Sequence, residues 1–210
     1  MDDLPTRREV WLSMLAAIGA GAVGGYWASG VRVPGPSVSE GARRQVAARP
    51  GESFWEGADP AQGGVRVLDV AHDLNNPTCR RLRPALEALV RATSDLALRW
   101  RDWPTGGEES WAAAVALRAM ALADRLAAIE LLHQTAAWEG PVTARRLRGA
   151  WPSSLGEDLL ATAGASVAAD VAWAEGLGLR APPSVLEGGR LLGVGALPVE
   201  QWRERLGLDG

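Results

Sequence analysis

Lysine is absent from this 210-residue chain: all 22 basic residues are arginine, set against 25 acidic ones for a formal charge of −3. That acidic balance, with no basic tract, excludes a nucleic acid as the expected partner. Cysteine occurs once, as Cys79, so no intramolecular disulfide can form and cysteine pairing says nothing about the redox compartment. Histidine is limited to His72 and His133. Zinc sites ordinarily need four placed ligands, so "DVAHD" (69–73) reads as a solvated loop at a strand end and His133 as a helix-surface or core contact. Gly-x-Ser-x-Gly and phosphate-loop spacings are missing as well, Gly188-Gly189 and Gly193-x-Gly195 being turn chemistry; no metal or cofactor is expected.

What is present is lopsided. Trp occurs ten times against one Phe and one Tyr, and Trp fills cores, sits at membrane interfaces and anchors partners, so each position matters. Between Glu9 and Arg32 there is no charged residue; as a helix this stretch would span roughly 33 Å, about one hydrocarbon core. "TRREVWL" (6–12) resembles a twin-arginine export signal, with Ala28-Ser29-Gly30 a poor cleavage site. Trp11 at one end and Tyr26 and Trp27 at the other suit an aromatic belt at both interfaces, which favours a retained anchor through the lipid bilayer over residues 10–31. Gly21 and Gly25 have the small-xxx-small spacing of a face onto which another transmembrane helix packs, although Gly and Ala are also common in export signals. Arg7 and Arg8 before the run and Arg32, Arg43 and Arg44 after it leave the orientation undecided by charge.

Residues 31–63, rich in Gly, Pro, Ser and charge, read as a linker. Within it the apolar pair Phe54-Trp55 is expected to dock on the chain's own domain or on a partner. From there the pattern gives a strand over 65–71, a helix over 77–92 with Leu82, Leu86 and Leu89 on one face, and a strand over 95–103. Helices follow from about 106 to 178 with breaks near Gly140-Pro141, Pro152 and Gly164. Two short strands around Gly188-Gly189 and a helix over 198–207 close the chain.

This order, with a helix opened by "NPTC" (76–79), resembles the thioredoxin superfamily and, within it, the DsbA-like thiol-disulfide oxidoreductases, whose helical block is inserted into the thioredoxin fold. Asp73 stands where that family has an acidic residue ahead of Cys-Pro-x-Cys. "RDWP" (101–104) ends the second strand as the family does, "ELLHQTA" (130–136) looks like its inserted-helix pattern, and "AEGLGLRAPPSVLEGGRLL" (174–192) maps the cis-proline to Pro183. The resemblance covers about 64–207 and implies an α/β thioredoxin fold with an inserted helical subdomain; the uncharged run ahead of it adds an N-terminal transmembrane or signal-anchor helix at 1–30. Asp69 falls one residue from the family's buried acid, and that role does not carry over.

The family's chemistry needs a thiolate at the helix start and a second thiol to resolve the mixed disulfide. Here the degenerate site Asn76, Pro77, Thr78, Cys79 keeps only the second thiol. Asn is a good N-cap and Pro is favoured at N1, so the helix start survives without its nucleophile. The residue before the cis-proline, which in the family offers backbone hydrogen bonds to a substrate strand, is Pro182, without an N–H. The expectation is therefore a redox-inactive domain on the periplasmic side of a bacterial inner membrane. It would serve as a structural or binding subunit of a membrane protein assembly, with an electron-transfer or photosynthetic complex as a guess at its identity. The alternative is an oxidoreductase, isomerase or chaperone-like protein using Cys79 alone.

Overall fold

Three short apolar stretches and the helix between two of them build the frame. The computed structural model describes residues 54–151 and 154–208. Strand β1 (Phe54–Gly57) is followed by β2 (Arg66–His72), helix α1 (Pro77–Ala92) and β3 (Leu96–Asp102). Four helices come next, α2 (Gly107–Ala123), α3 (Arg125–Gln134), α4 (Ala144–Ala150) and α5 (Glu157–Gly176), with a 3-10 turn at Thr135–Ala137 after α3. Strands β4 (Ser184–Glu187) and β5 (Arg190–Val194) and helix α6 (Val199–Leu206) complete the chain.

The strands form one sheet in the order β1-β3-β2-β4-β5, with β2 and β3 parallel and every other pair antiparallel. A parallel pair needs a crossover, and α1 supplies it. Cys79, Leu82, Leu86 and Leu89 recur at helical spacing on α1 and are buried, the three leucines in one cluster with Leu68, Val70, Leu96, Leu98 and Trp100 of the central strands. A second cluster joins Ala71 and Trp103 to the small residues of α2 and α5, among them Ala114, Val115, Ala119, Ala163, Val167 and Ala174. Small side chains there let the two helices approach closely. The β4–β5 hairpin turns on Gly188 and Gly189, whose φ of 57° and 80° meet the two positive values of a type I′ turn.

Three expectations are corrected. The stretch read as linker contains β1: Phe54 is 2% exposed within the main core, and its strand pairs with β3 from Phe54↔Trp100 to Gly57↔Ala97. A strand this short gains its stability from sheet pairing and burial rather than from its own pattern. Phe54 is thus a core residue and not free for a partner, while half-buried Trp55 lies under the Arg125 guanidinium at 3.6 Å. Gly164 does not break a helix: it is buried inside α5, where one glycine costs about 1 kcal/mol and the apolar positions Ala163, Val167 and Val171 outweigh it. The unexpected break is at Asp124, whose side chain accepts the Ala127 N–H and starts α3.

The N-terminal features Trp11, Gly21, Gly25, Tyr26 and Trp27 lie outside the described residues. Among the described residues no helix is long and apolar enough to cross a membrane.

Candidate functional site: the start of helix α1

Asn76 caps α1 as its residue type dictates. Its φ and ψ of −75° and 119° are extended, and its Oδ1 accepts the backbone N–H of Thr78 at 2.8 Å and of Cys79 at 3.3 Å. Pro77 follows at N1, where a missing N–H costs no helical hydrogen bond. The other half of the Asn76 amide points across to the facing loop: Nδ2 donates to the Pro182 carbonyl at 3.2 Å. The Pro182–Pro183 bond is cis, and both prolines are buried. The sequence-predicted pair, a degenerate helix start and a proline loop, is therefore brought into contact through Asn76.

Cys79 lies inside the first turn, 1% exposed. The Asp73 N–H points at its sulfur from 3.5 Å. Loss of solvent is the dominant influence on the thiol and pushes its pKa up to about 12, against the weaker help of the Asp73 N–H and of Arg83. A thiol so placed stays protonated and shielded. Arg83, one turn on, is itself fully buried; its Nη1 donates to the Leu132 carbonyl and to Thr135 Oγ1, and desolvation brings its pKa down to about 10.

The acid ahead of the helix has a structural task. Asp73 Oδ2 accepts the Thr105 and Gly106 N–H groups at 2.7 and 3.1 Å and the Thr105 hydroxyl at 2.9 Å. Its Oδ1 accepts the Ser110 hydroxyl and the Asn75 N–H. Asn75, missed in the sequence, completes this clamp: Oδ1 accepts the Val142 N–H at 2.7 Å, and Nδ2 donates to the Val142 carbonyl and to Ser110 Oγ. One tripeptide thus ties the helix start to α2 and to the loop before α4. The helical block cannot tilt away without breaking these bonds.

His72 is not in a solvated loop. It ends β2, 2% exposed, with its ring edge-on to Trp100 and Nε2 3.4 Å from Asp102 Oδ1. The register of the parallel pair, His72↔Asp102, puts the two together. His133 Nε2 lies 2.7 Å from Glu56 Oε2 and Nδ1 lies 3.4 Å from Glu87, so it joins β1 to α1. Among the described residues no group of three or more His, Cys, Asp and Glu is placed to hold a metal ion.

The largest feature the sequence hid is a charge network beneath the site. Arg118, in the middle of α2 and 2% exposed, donates to Asp102, to Asp170 of α5 and to the Trp100 carbonyl. Asp170 also accepts from Arg101 at 2.9 Å and from the Asp102 N–H at 3.1 Å, and Arg101 reaches Asp69 at 3.0 Å. Asp69, left without a role in the sequence, is also 3.5 Å from Arg99. Burial works against charge on Arg118, but the Asp102 and Asp170 carboxylates outweigh it and hold its pKa above the ordinary arginine value. Burial likewise opposes ionisation of Asp102, and Arg118 overcomes it to hold the carboxyl below its usual range. The lone arginine inside "WAAAVALRAMALA" (111–123) was the available signal, because a charge in an apolar helix is buried only when paired.

A sheet ordered in this way, with a parallel β-α-β centre, a capped helix start against a proline loop and an inserted helical block, defines a DsbA-like thioredoxin fold. No family model and no curated protein matches the sequence. Solved structures do match in fold. The catalytic domain of Proteus mirabilis ScsC superposes with a TM-score of 0.67 at 21% identity, over 80% of this chain and 94% of that one. A periplasmic thioredoxin-like protein from Salmonella enterica serovar Typhimurium gives 0.66 at 22% identity, over 81% and 97%. The thiol-disulfide exchange protein alpha-DsbA2 from Wolbachia pipientis gives 0.63 at 14% identity, over 80% and 96%.

Proposed function

We propose that the protein is a redox-inactive, DsbA-like thioredoxin-fold protein that works as a structural or binding subunit of a membrane protein assembly. The observation that carries this reading is the state of Asn76. Its amide occupies the helix start, its oxygen serves the N–H groups of Thr78 and Cys79, and its nitrogen holds Pro182. An amide does not attack a disulfide, and the one thiol of the chain, Cys79, is buried and held protonated. The facing loop, Pro182-Pro183, offers a substrate strand no backbone N–H at either residue.

The anchor rests on the uncharged run and aromatic belt of residues 10–31, with the domain on the periplasmic side of a bacterial inner membrane. The Salmonella neighbour, described as periplasmic, supports that side. The partner within the assembly would meet the small-residue face at Gly21 and Gly25 or the globular domain itself.

Two measurements test this. Native protein is expected to leave Cys79 unmodified by a maleimide over hours and to react at once in denaturant, and to reduce insulin no faster than buffer. Rapid labelling of the folded protein, or insulin reduction, would favour a single-thiol oxidoreductase instead. Protein from native membranes is expected to begin near Met1 and to resist carbonate extraction; an N-terminus near Gly30 in a freely soluble protein would remove the anchor from the proposal.

A further inference from the structure

A groove of about 900 Å³ opens beside the helix start, between the outer side of α1 and the segment after α3. Pro77, Pro84, Ala136, Ala137 and Trp138 give it apolar walls, and Arg80 and Arg81 give it charge, with Glu139 the one acidic residue in its lining. Its shape is held firmly. Arg80 donates through Nη1 to the Trp138 and Gly140 carbonyls, both at 3.0 Å. Behind the wall, Arg146 stacks on Trp138 at 4.5 Å and donates to the Glu139 and Pro141 carbonyls. The helix that follows this segment, α4, carries exposed Arg145 and Arg148.

The charge of this region runs against the chain's acidic total. Among the described residues, Arg80, Arg81, Arg145, Arg146 and Arg148 form no ion pair with any carboxylate. By contrast, the buried arginines Arg101 and Arg118 are each paired with aspartates. An apolar trough lined by Arg80 and Arg81, neither of them paired with a carboxylate, is complementary to an extended segment bearing carboxylates and apolar side chains, and guanidinium binds carboxylate as a fork. A flat bilayer surface would meet the exposed arginines but would leave the trough between the two prolines and Trp138 unfilled.

We propose that this groove is the docking site for an acidic, partly apolar segment of a partner protein. The inference rests on the reading of the protein as a binding subunit and supplies the chemistry of what it binds. Arg81 and Pro84, both exposed on α1, touch the occupant from one side, and Trp138 from the other.

The test uses the full chain in mild detergent and a fluorescein-labelled peptide of repeated Glu-Leu-Pro-Asp, with Arg-Leu-Pro-Arg as its counterpart, followed by polarisation. The acidic peptide is expected to bind saturably and the basic one not, with affinity falling several-fold as salt rises from about 0.05 M to about 0.5 M. Arg81→Glu combined with Pro84→Glu should weaken binding at least ten-fold, while Arg190→Glu combined with Val194→Glu, at the exposed ends of β5, makes the same change of charge and should leave it unaltered. Both positions of the α1 variant are exposed, and removing a helix-interior proline does not threaten folding, which far-UV circular dichroism would verify. Equal binding of the two peptides, or an unaffected α1 variant, overturns the proposal. So does tight binding to one-to-three phosphatidylglycerol and phosphatidylcholine vesicles that displaces the peptide, which would assign the face to a membrane. Full displacement by inorganic phosphate at matched ionic strength would reduce the groove to a small-anion site. Cys79 labelling is independent of the groove, so a failed peptide titration with a shielded thiol rejects the groove alone.

Discussion

Asn76→Cys is expected to form a disulfide with Cys79 when the folded protein is exposed to oxidised glutathione. The substituted side chain would sit at the N-cap, facing the Thr78 and Cys79 N–H groups that Oδ1 now accepts. Those donors and the dipole of a helix running from Pro77 to Ala92 stabilise negative charge there, so the new thiol should ionise in the range of about 3.5 to 7.5 known for helix-start cysteines. Cys79, buried one turn deeper with its pKa pushed up to about 12, would then act as the second thiol. The reduced variant should lose about 0.5 to 2 kcal/mol, because the amide cap and its bond to Pro182 are both gone. Thiol titration in denaturant, with and without reductant, reads the disulfide directly. Turnover of a peptide disulfide should stay low, since Pro182 still offers no N–H, and adding Pro182→Thr should raise it. Two free thiols in the oxidised, folded variant would contradict the arrangement of the site.

Readability from sequence followed the range of the interactions. The start of α1 was plain because capping is decided by four consecutive residues, Asn76 to Cys79, and the β4–β5 turn because Gly188-Gly189 is a local device. The β-α-β unit followed from patterns of two and about three and a half residues. β1 was not readable: "FWEG" carries no alternation of its own, and only the far edge of β3 makes it a strand. The roles of Asp73 and Asn75 depend on partners 32 to 67 residues away, so a resemblance could mark the acid but not its task. His72 was misread for the same reason, its neighbours Trp100 and Asp102 belonging to a strand whose register no local pattern reveals. The anchor and belt lie outside the described residues and stand on sequence alone.

The network around Arg118 should govern stability more than any other polar group in the domain. Arg118→Met leaves the side-chain volume nearly unchanged but strands the buried carboxylate of Asp102 and removes one cation from Asp170, so the expected loss is about 3 to 5 kcal/mol. For a domain of ordinary stability, about 5 to 15 kcal/mol, that is a large share. Asp102→Asn in the same background should restore part of the loss, because the carboxylate left unpaired is then gone; a cycle over the two positions should give a coupling above about 1 kcal/mol. The pH dependence has a definite sign. Arg118 holds Asp102 below the usual carboxylate range, so in acid the unfolded chain takes up the proton first, and stability from this group rises with pH. That contribution is complete above the unfolded value of about 4 and is lost as pH falls toward the depressed folded value. Urea unfolding of the wild type at falling pH should therefore show a steep loss only below about pH 4, whereas in Arg118→Met, where only His72 is left to offset the burial of Asp102, that acid-linked loss should shrink or reverse, because protonating the stranded carboxyl in mild acid restores part of the stability. A single substitution costing less than about 1 kcal/mol, or an unchanged acid profile in the variant, would mean that Asp102 and Asp170 are satisfied without Arg118.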